Sequence, residues 1–331
     1  MNDRSVSIEA GVRGWDIIEY QEFYSSAIEY YGAGNVHKHV VVNKYLYPLS
    51  LFFFLFHHRS SAILISPRTL HQNYILMQLF SILVAIICKF FDAKLFVVLS
   101  DAHVRKFRHS SILATFLGGT ILSLHSPELL SNLLKHRQVY GPYLFPLSTS
   151  TLKVIDRIPL SRQSCLNKTV YCPGYLYPSR KQMLDQIFSL VQPLGFSFQY
   201  STRLSAENRI DNSSYWSFLK NSYIVLTTST PTPEAGSLHL SSEPHFIYRF
   251  VEALATKSLL LTQAPHGISH FFEPDIHFVS YSTPLEASQK ITYLFDNPDF
   301  RHRIAAQGYD RVVELIKCKH FWSSFDGIAS R

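Results

Sequence analysis

Short apolar, often β-branched runs alternate along the chain with longer apolar stretches at helical spacing. Val40-Val-Val42 and Ala62-Ile-Leu-Ile-Ser66 read as buried strands. A helix is expected over about 71–90, then a strand from Lys94 to Leu99, a polar loop Ser100-Asp101-Ala-His103 and a strand from Thr120 to Leu124. Ser126-Pro-Glu128 opens a further helix, with a Ser cap and Pro at the first helical position. A second series follows: strands at Val170–Cys172, Phe196–Tyr200, Tyr223–Thr228, Leu259–Thr262 and Ile276–Tyr281, the last at a sheet edge, with helices between them. Two more helices close the series, one near 284–296 and one opened by Asn297-Pro-Asp299. Strand and helix alternating in this way require parallel sheets with crossover helices.

Residues 1–35 read as a loosely organised polar lead-in with one helix near 19–31. Residues 140–168 are rich in Pro, Ser and Thr and read as the connection between two α/β domains. The first domain then spans 1–155 and is reduced, and the second spans 165–312. Residues 313–331 form a helix that returns to the first domain. The polar stretch from Thr227 to Pro244 is long for a loop inside a compact domain and is expected to cover a site or to be mobile.

Composition narrows the class. The chain has 331 residues, of which 47% are hydrophobic and 17% charged, as in a globular protein with two ordinary domains. Four cysteines at 88, 165, 172 and 318 form no CxxC pair or metal-site spacing, and read as reduced thiols in a cytoplasmic protein. Between residues 30 and 150 there are eleven Lys and Arg against three Asp and Glu. Such an excess suits anionic partners (a phospholipid surface, a pyrophosphate-linked acceptor or nucleic acid) and fits an ordinary solvated basic face equally well. Nucleic acid ranks lowest, because the basic residues are scattered and no binding motif frames them.

Two greasy runs, Leu46–Phe56 and Tyr74–Cys88, fall short of the ~20 apolar residues that a membrane span needs. They are expected to be buried core helices, the alternative being peripheral contact with the inner face of an anionic membrane.

The stretch from Tyr248 to Thr262 carries the main chemical candidates. Arg249 and Glu252 lie three apart on a helix that runs into the buried strand Leu259-Leu-Leu261. At the carboxyl ends of parallel strands, a guanidinium suits a phosphate and a carboxylate suits a diol. Gly174 follows the strand at 170–172, and a helix starting near Pro178 brings Arg180 beside it. Glycine lets backbone approach a phosphate closely, and the helix N-terminus points N–H groups towards it. Asp101 and His103 follow the strand at 94–99 and could act as a general base on an acceptor hydroxyl, with His125 competing for that role. The same residues also fit a plain loop with an Asx turn.

Several segments together resemble the C-terminal domain of GT-B glycosyltransferases of group 1, in particular the spore-maturation-type branch. They are Val170-Tyr-Cys-Pro-Gly174 through Arg180, Arg249-Phe-Val-Glu252-Ala-Leu-Ala255, Leu259-Leu-Leu-Thr262, Asn297-Pro-Asp-Phe-Arg301 and Ile304-Ala-Ala-Gln-Gly308-Tyr-Asp-Arg-Val312. The resemblance covers residues 168–322. It implies two Rossmann-like domains facing a cleft and transfer of a sugar from a nucleotide-sugar donor to a saccharide or lipid-linked acceptor. It further implies that Glu252 accepts hydrogen bonds from the donor ribose, that Arg249 contacts the pyrophosphate, and that His266 and Gly267 offer backbone amides to the donor.

The nucleotide sugar is a substrate, so no cofactor is expected. No Asp-x-Asp is present, so no catalytic metal is implied. Two departures stand out: Pro244 occupies the position eight before Glu252 where retaining relatives carry Glu, and Lys257 replaces the usual helix-stop glycine. A non-catalytic relative serving as scaffold or glycan-binding subunit is the alternative.

Overall fold

The structure is a computed structural model. It describes residues 4–12, 18–41, 43–65, 74–99, 119–124, 127, 139–160, 168–174, 176, 178–201, 212–229, 244 and 246–330. Contacts divide the chain into two compact units, one of residues 1–149 with 238–241 and 318–331, the other of residues 150–237 with 242–317.

The first unit is built on a six-stranded parallel sheet: β1 (Val6–Val12), β2 (Val36–Val41), β3 (Ala62–Ile65), β4 (Lys94–Leu99), β5 (Thr120–Ser123) and β6 (Val139–Tyr140). Its order is β2-β1-β3-β4-β5-β6. The lead-in expected at residues 1–35 is therefore wrong in part. The helix is present as α1 (Ile18–Tyr31), but β1 precedes it and occupies an interior sheet position. The misreading came from Ser7, a polar residue in the run. It is fully buried, and its hydroxyl pairs with that of Ser60 at 2.5 Å.

The two greasy runs are α2 (Tyr47–His58) and α3 (Tyr74–Phe90), which pack on one side of the sheet through Leu51, Leu55, Val84 and Cys88. Only one stripe of each is buried, so the expectation of core helices holds for half of each surface. Among the described residues no helix is long and apolar enough to cross a membrane.

The segment 143–148 is also buried, unlike a solvent-exposed linker. It leads into α4 (Thr149–Arg157), and the backbone amides of Ser148 and Thr149 donate to Glu22 and Glu29 of α1 at 2.7 and 2.8 Å. Carboxyl groups at the positive end of a helix are stabilising. The last helix, His320–Ala329, belongs to the first unit. Its Asp326 accepts from Arg4, Tyr30 and Tyr31, its Trp322 donates to Ser26, and Phe325 meets Phe96 with ring centroids 4.5 Å apart.

The second unit carries β7 (Thr169–Pro173), β8 (Ser197–Ser201), β9 (Ile224–Leu226), β10 (Leu259–Thr262) and β11 (Val279–Ser280), all parallel, in the order β11-β10-β9-β7-β8. The helices between them are α5 (Pro178–Val191), α6 (Asn212–Lys220), α7 (Arg249–Ala255), α8 (Pro284–Asp296) and α9 (Pro298–Lys317). The core lies between sheet and helices, with Val170, Leu184, Ile187, Leu226, Leu261, Ile291 and Ile304 fully buried. The buried Lys220 ammonium donates to the carbonyls of Ile155 and Asp156 at the end of α4. Cys88 and Cys172 are buried thiols, each pushed up to about 12 by burial, and Cys318 is exposed.

α7 stops without glycine. Lys257 takes the left-handed conformation itself at φ +58°, and its ammonium sits 4.1 Å from the Tyr309 ring centroid. For an L-residue that conformation costs about 1–2 kcal/mol, and a cation–π contact returns about 0.5–1 kcal/mol. Lys257→Gly is therefore expected to melt at or above the wild type, and Lys257→Ala, which keeps the strain and loses the contact, below it. Equal melting of the Gly and Ala variants would contradict this. At Gly308 of α9 an added Cβ would overlap the His277 carbonyl and lie 2.7 Å from Leu254. Gly308→Ala should lower stability by about 1–3 kcal/mol despite the better helix propensity of alanine; thermal unfolding checks it.

Candidate functional site: a guanidinium pair at the strand ends

In the second sheet β8 lies on one side of β7 and β9 on the other, so chain connections diverge between β7 and β9. The carboxyl ends of the strands at such a divergence are where α/β proteins bind ligands. β7 ends at Pro173, and Gly174 follows with φ +107°, a conformation that side-chain-bearing residues rarely adopt.

Arg180, the third residue of α5, folds back over the strand end and is 7% exposed. Its Nη2 donates to the Pro173 carbonyl at 2.7 Å. Arg249, the first residue of α7, reaches the same place and is half-buried. A Cβ at Gly174 would lie 2.8 Å from Arg180 Nη1 and would overlap Arg249 Nη2. Glycine is thus required twice here, by its backbone angle and by two guanidinium groups closing on its α-carbon.

Burial, and then the neighbouring Arg249 cation, lower Arg180 from the ordinary 12.5 to about 10. It remains protonated at neutral pH. The groups acting in the opposite direction are Cys172, Tyr281 and Tyr215. Two cations facing one glycine, one buried and one half-buried, make a strong electrostatic field for an anion. Tyr281 is held beside Arg180 by its own hydroxyl, which donates to the Thr227 carbonyl at 3.0 Å.

Glu252, one turn further along α7, is 5% exposed and accepts a hydrogen bond from the Tyr215 hydroxyl of α6 at 2.8 Å. The loops after β9 and β10 are tied together: the Ser229 amide donates to Gln263 Oε1 at 3.0 Å and the Ser229 hydroxyl to the Gln263 carbonyl at 2.8 Å. In the loop after β10 His266 is exposed, and Gly267, at φ +78°, opens a short 3-10 turn.

Of the residues singled out from sequence, Gly174, Arg180 and Arg249 are thus brought together, with Glu252 on the same short helix. His266 and Gly267 lie in the loop after β10, a neighbour of β9 on the side away from β7. Asp101, His103 and His125 lie outside the described residues. Tyr215 and Tyr281 carry no motif, and sequence reasoning did not select them. The one available signal was that each is an aromatic with a hydroxyl in an otherwise apolar position, which needs a polar partner when buried.

Comparison with known proteins bears on what this arrangement belongs to. Residues 176–325 match the family model described as glycosyl transferase-like. No curated protein matches the sequence. The architecture, two parallel α/β sheets, is that of GT-B glycosyltransferases.

HepE of Anabaena, solved in complex with UDP, has a TM-score of 0.60 at 10% identity, over 99% of this chain and all of the other. Sucrose-phosphate synthase of Thermosynechococcus elongatus has a TM-score of 0.56 at 10% identity, again over 99% of this chain and all of the other. TarM has a TM-score of 0.61 at 11% identity over 86% of this chain, which spans only 58% of TarM. At these identities the likeness is one of fold.

The Tyr215–Glu252 bond is testable by itself. A hydrogen bond to a carboxylate contributes about 1.5–3 kcal/mol, so Tyr215→Phe should lower unfolding stability by that order. Glu252→Gln, which keeps an acceptor oxygen for Tyr215, should lose less. A Phe variant as stable as the wild type would show that the bond does not hold Glu252 in place.

Proposed function

We propose that the second unit binds a nucleotide sugar and that the protein transfers the sugar to a saccharide or lipid-linked acceptor, in synthesis of a surface polysaccharide or glycoconjugate. The observation that carries this reading is the guanidinium pair of Arg180 and Arg249 closing on Gly174 at the sheet's divergence point. Solved structures of HepE in complex with UDP and with UDP-glucose support a nucleotide-sugar donor. The family model over residues 176–325 supports glycosyl transfer.

In this reading the donor pyrophosphate lies against Arg249 and Arg180. Negative charge builds on the leaving nucleoside diphosphate as the glycosidic bond breaks, and fixed cations in a partly dry site stabilise it with little reorganisation. Charge neutralisation is assigned to this pair rather than to a metal ion. Glu252, oriented by Tyr215, accepts from the ribose hydroxyls, and the backbone at His266 and Gly267 offers amides to the donor. Asp101 or His103 removes the proton of the acceptor hydroxyl. A second reading, a non-catalytic relative that binds a nucleotide sugar or a glycan, is favoured by Pro244 standing where retaining relatives carry a carboxylate.

Melting curves with UDP-, GDP- and CMP-linked sugars test the donor site. A donor at 100 times its dissociation constant should add about 2.7 kcal/mol of stability. Arg249→Ala should weaken binding at least tenfold. Glu252→Gln should weaken it about ten- to a hundredfold, the equivalent of one charged hydrogen bond of about 1.5–3 kcal/mol. No shift with any donor, or unchanged affinity in the Arg249 variant, would overturn the site. Binding without turnover of donor in the presence of saccharide acceptors would select the non-catalytic reading.

A further inference from the structure

The outward stripes of α2 and α3 are apolar where a crossover helix normally meets water. Both helices are crossovers of the first sheet. α2 leads from β2 to β3 and α3 from β3 to β4, both advancing the same way along the sheet. Right-handed crossovers then place them on one face, side by side. The inner stripe is filled as expected, with Tyr47, Leu51 and Leu55 of α2 and Val84, Ala85 and Cys88 of α3 in the core.

The outer stripe should be polar. Instead α2 and the residue before it expose Leu46, Leu49, Phe53 and Phe56, each more than half exposed at 53–57%, in steps of 3, 4 and 3. α3 exposes Leu79, Leu83, Ile86 and Phe90 at 44–72%, in steps of 4, 3 and 4. Those steps put each set on a single helix face. Phe52 lies between the two sets, in contact with both Phe53 and Phe90, at ring centroids 5.7 and 6.3 Å. The two stripes therefore form one surface. Eight such side chains expose several hundred Å², at or above the largest patch of a typical soluble monomer, ~300–600 Å².

The charge around this surface selects what covers it. From residue 30 to residue 91 the sequence contains no Asp or Glu, while Lys38, Lys44, Arg59, Arg68 and Lys89 fall in that stretch. Arg59 and Lys89 are exposed at the C-terminal ends of α2 and α3, on the same end of the sheet because the helices run parallel, with exposed His57 and His58 beside Arg59. The exposed Asp92 follows Lys89 at the end of α3, but the balance there is still basic, and a second copy of the chain would bring two such rims together. Anionic phospholipid headgroups complement them, while the acyl boundary takes the Leu and Phe side chains. At 12 and 17 residues the helices are too short to span about 30 Å of hydrocarbon, so they lie in the interface plane.

We propose that the α2–α3 face of the first unit docks on an anionic phospholipid bilayer, Leu and Phe inserted at the headgroup boundary and the basic helix ends among the phosphates. Nothing about this depends on what the second unit binds.

Sedimentation with vesicles of phosphatidylcholine alone, and of phosphatidylcholine with phosphatidylglycerol, tests it on the full chain. The wild type should pellet with the anionic vesicles, at least tenfold more than with the neutral ones, and less as salt rises. The triple variant Phe53→Ser, Phe56→Ser, Phe90→Ser should lose at least tenfold of that partition while shifting the melting temperature little, since these side chains are more than half exposed. The double variant Arg59→Glu, Lys89→Glu should lose the preference for anionic vesicles and serves as a second readout where the triple variant does not fold. A wild type that stays in the supernatant, or variants that pellet as it does, would overturn the proposal. So would a dimer in solution that the triple variant dissociates while vesicle binding is absent, because the face would then be covered by a second copy.

Discussion

Two like charges pressed against one glycine set the conditions for the second unit. Arg180 and Arg249 repel each other, and burial strips water from Arg180 as well, which is why its pKa falls to about 10. The fold holds them there by local means. Arg180 is anchored on the carbonyl of the residue that ends β7, Tyr281 is fixed beside it by a bond to Thr227, and position 174 has no side chain to push the guanidinium groups apart. The site is thus arranged in advance, with two cations held at one backbone position by the fold itself.

The strand order makes that position available. In both sheets the strand that leads the series sits inside, with its successor on one side and all later strands on the other. Such an order leaves a gap between connections at the leading strand, and the second unit fills it with Gly174 and the start of α5. The short α7 then enters from a later strand connection and supplies Arg249 from across the gap. One residue from each of two elements distant in sequence, 69 positions from Arg180 to Arg249, meets at one backbone atom.

Much of this was legible before any coordinates. Leu259-Leu-Leu-Thr262 and Ala62-Ile-Leu-Ile are continuous apolar runs because strands of a parallel sheet are covered on both faces, so length and flanks identify them. The Gly–Arg and Arg–Glu spacings were readable because they are local. What failed was whatever depended on a distant partner. β1 was missed because Ser7 is polar, and only Ser60, more than fifty residues on, makes it an interior residue. The helix α4 was hidden in a Ser/Thr-rich segment whose amides are satisfied by Glu22 and Glu29 of α1. Tyr215 and Tyr281 show their roles only through Glu252 and Thr227. Lys257 takes the left-handed conformation that glycine favours, which the sequence alone could not show.

The apolar helices of the first unit failed for a different reason, one of geometry and not of partners. A crossover helix beside a parallel sheet can turn only about a third to a half of its surface to that sheet and its neighbours. In α2 the positions 47, 51 and 55 take that share, and 46, 49, 53 and 56 are then on the far side by rotation alone. No choice of register could bury both sets. A helix apolar on every face, in that position, must therefore leave apolar surface uncovered by its own sheet, and composition cannot reveal this because it sums over both faces. The phase of the apolar residues against the sheet decides it. Once β2, β3 and β4 are fixed in order, the exposure of the Leu and Phe stripe follows from the fold itself.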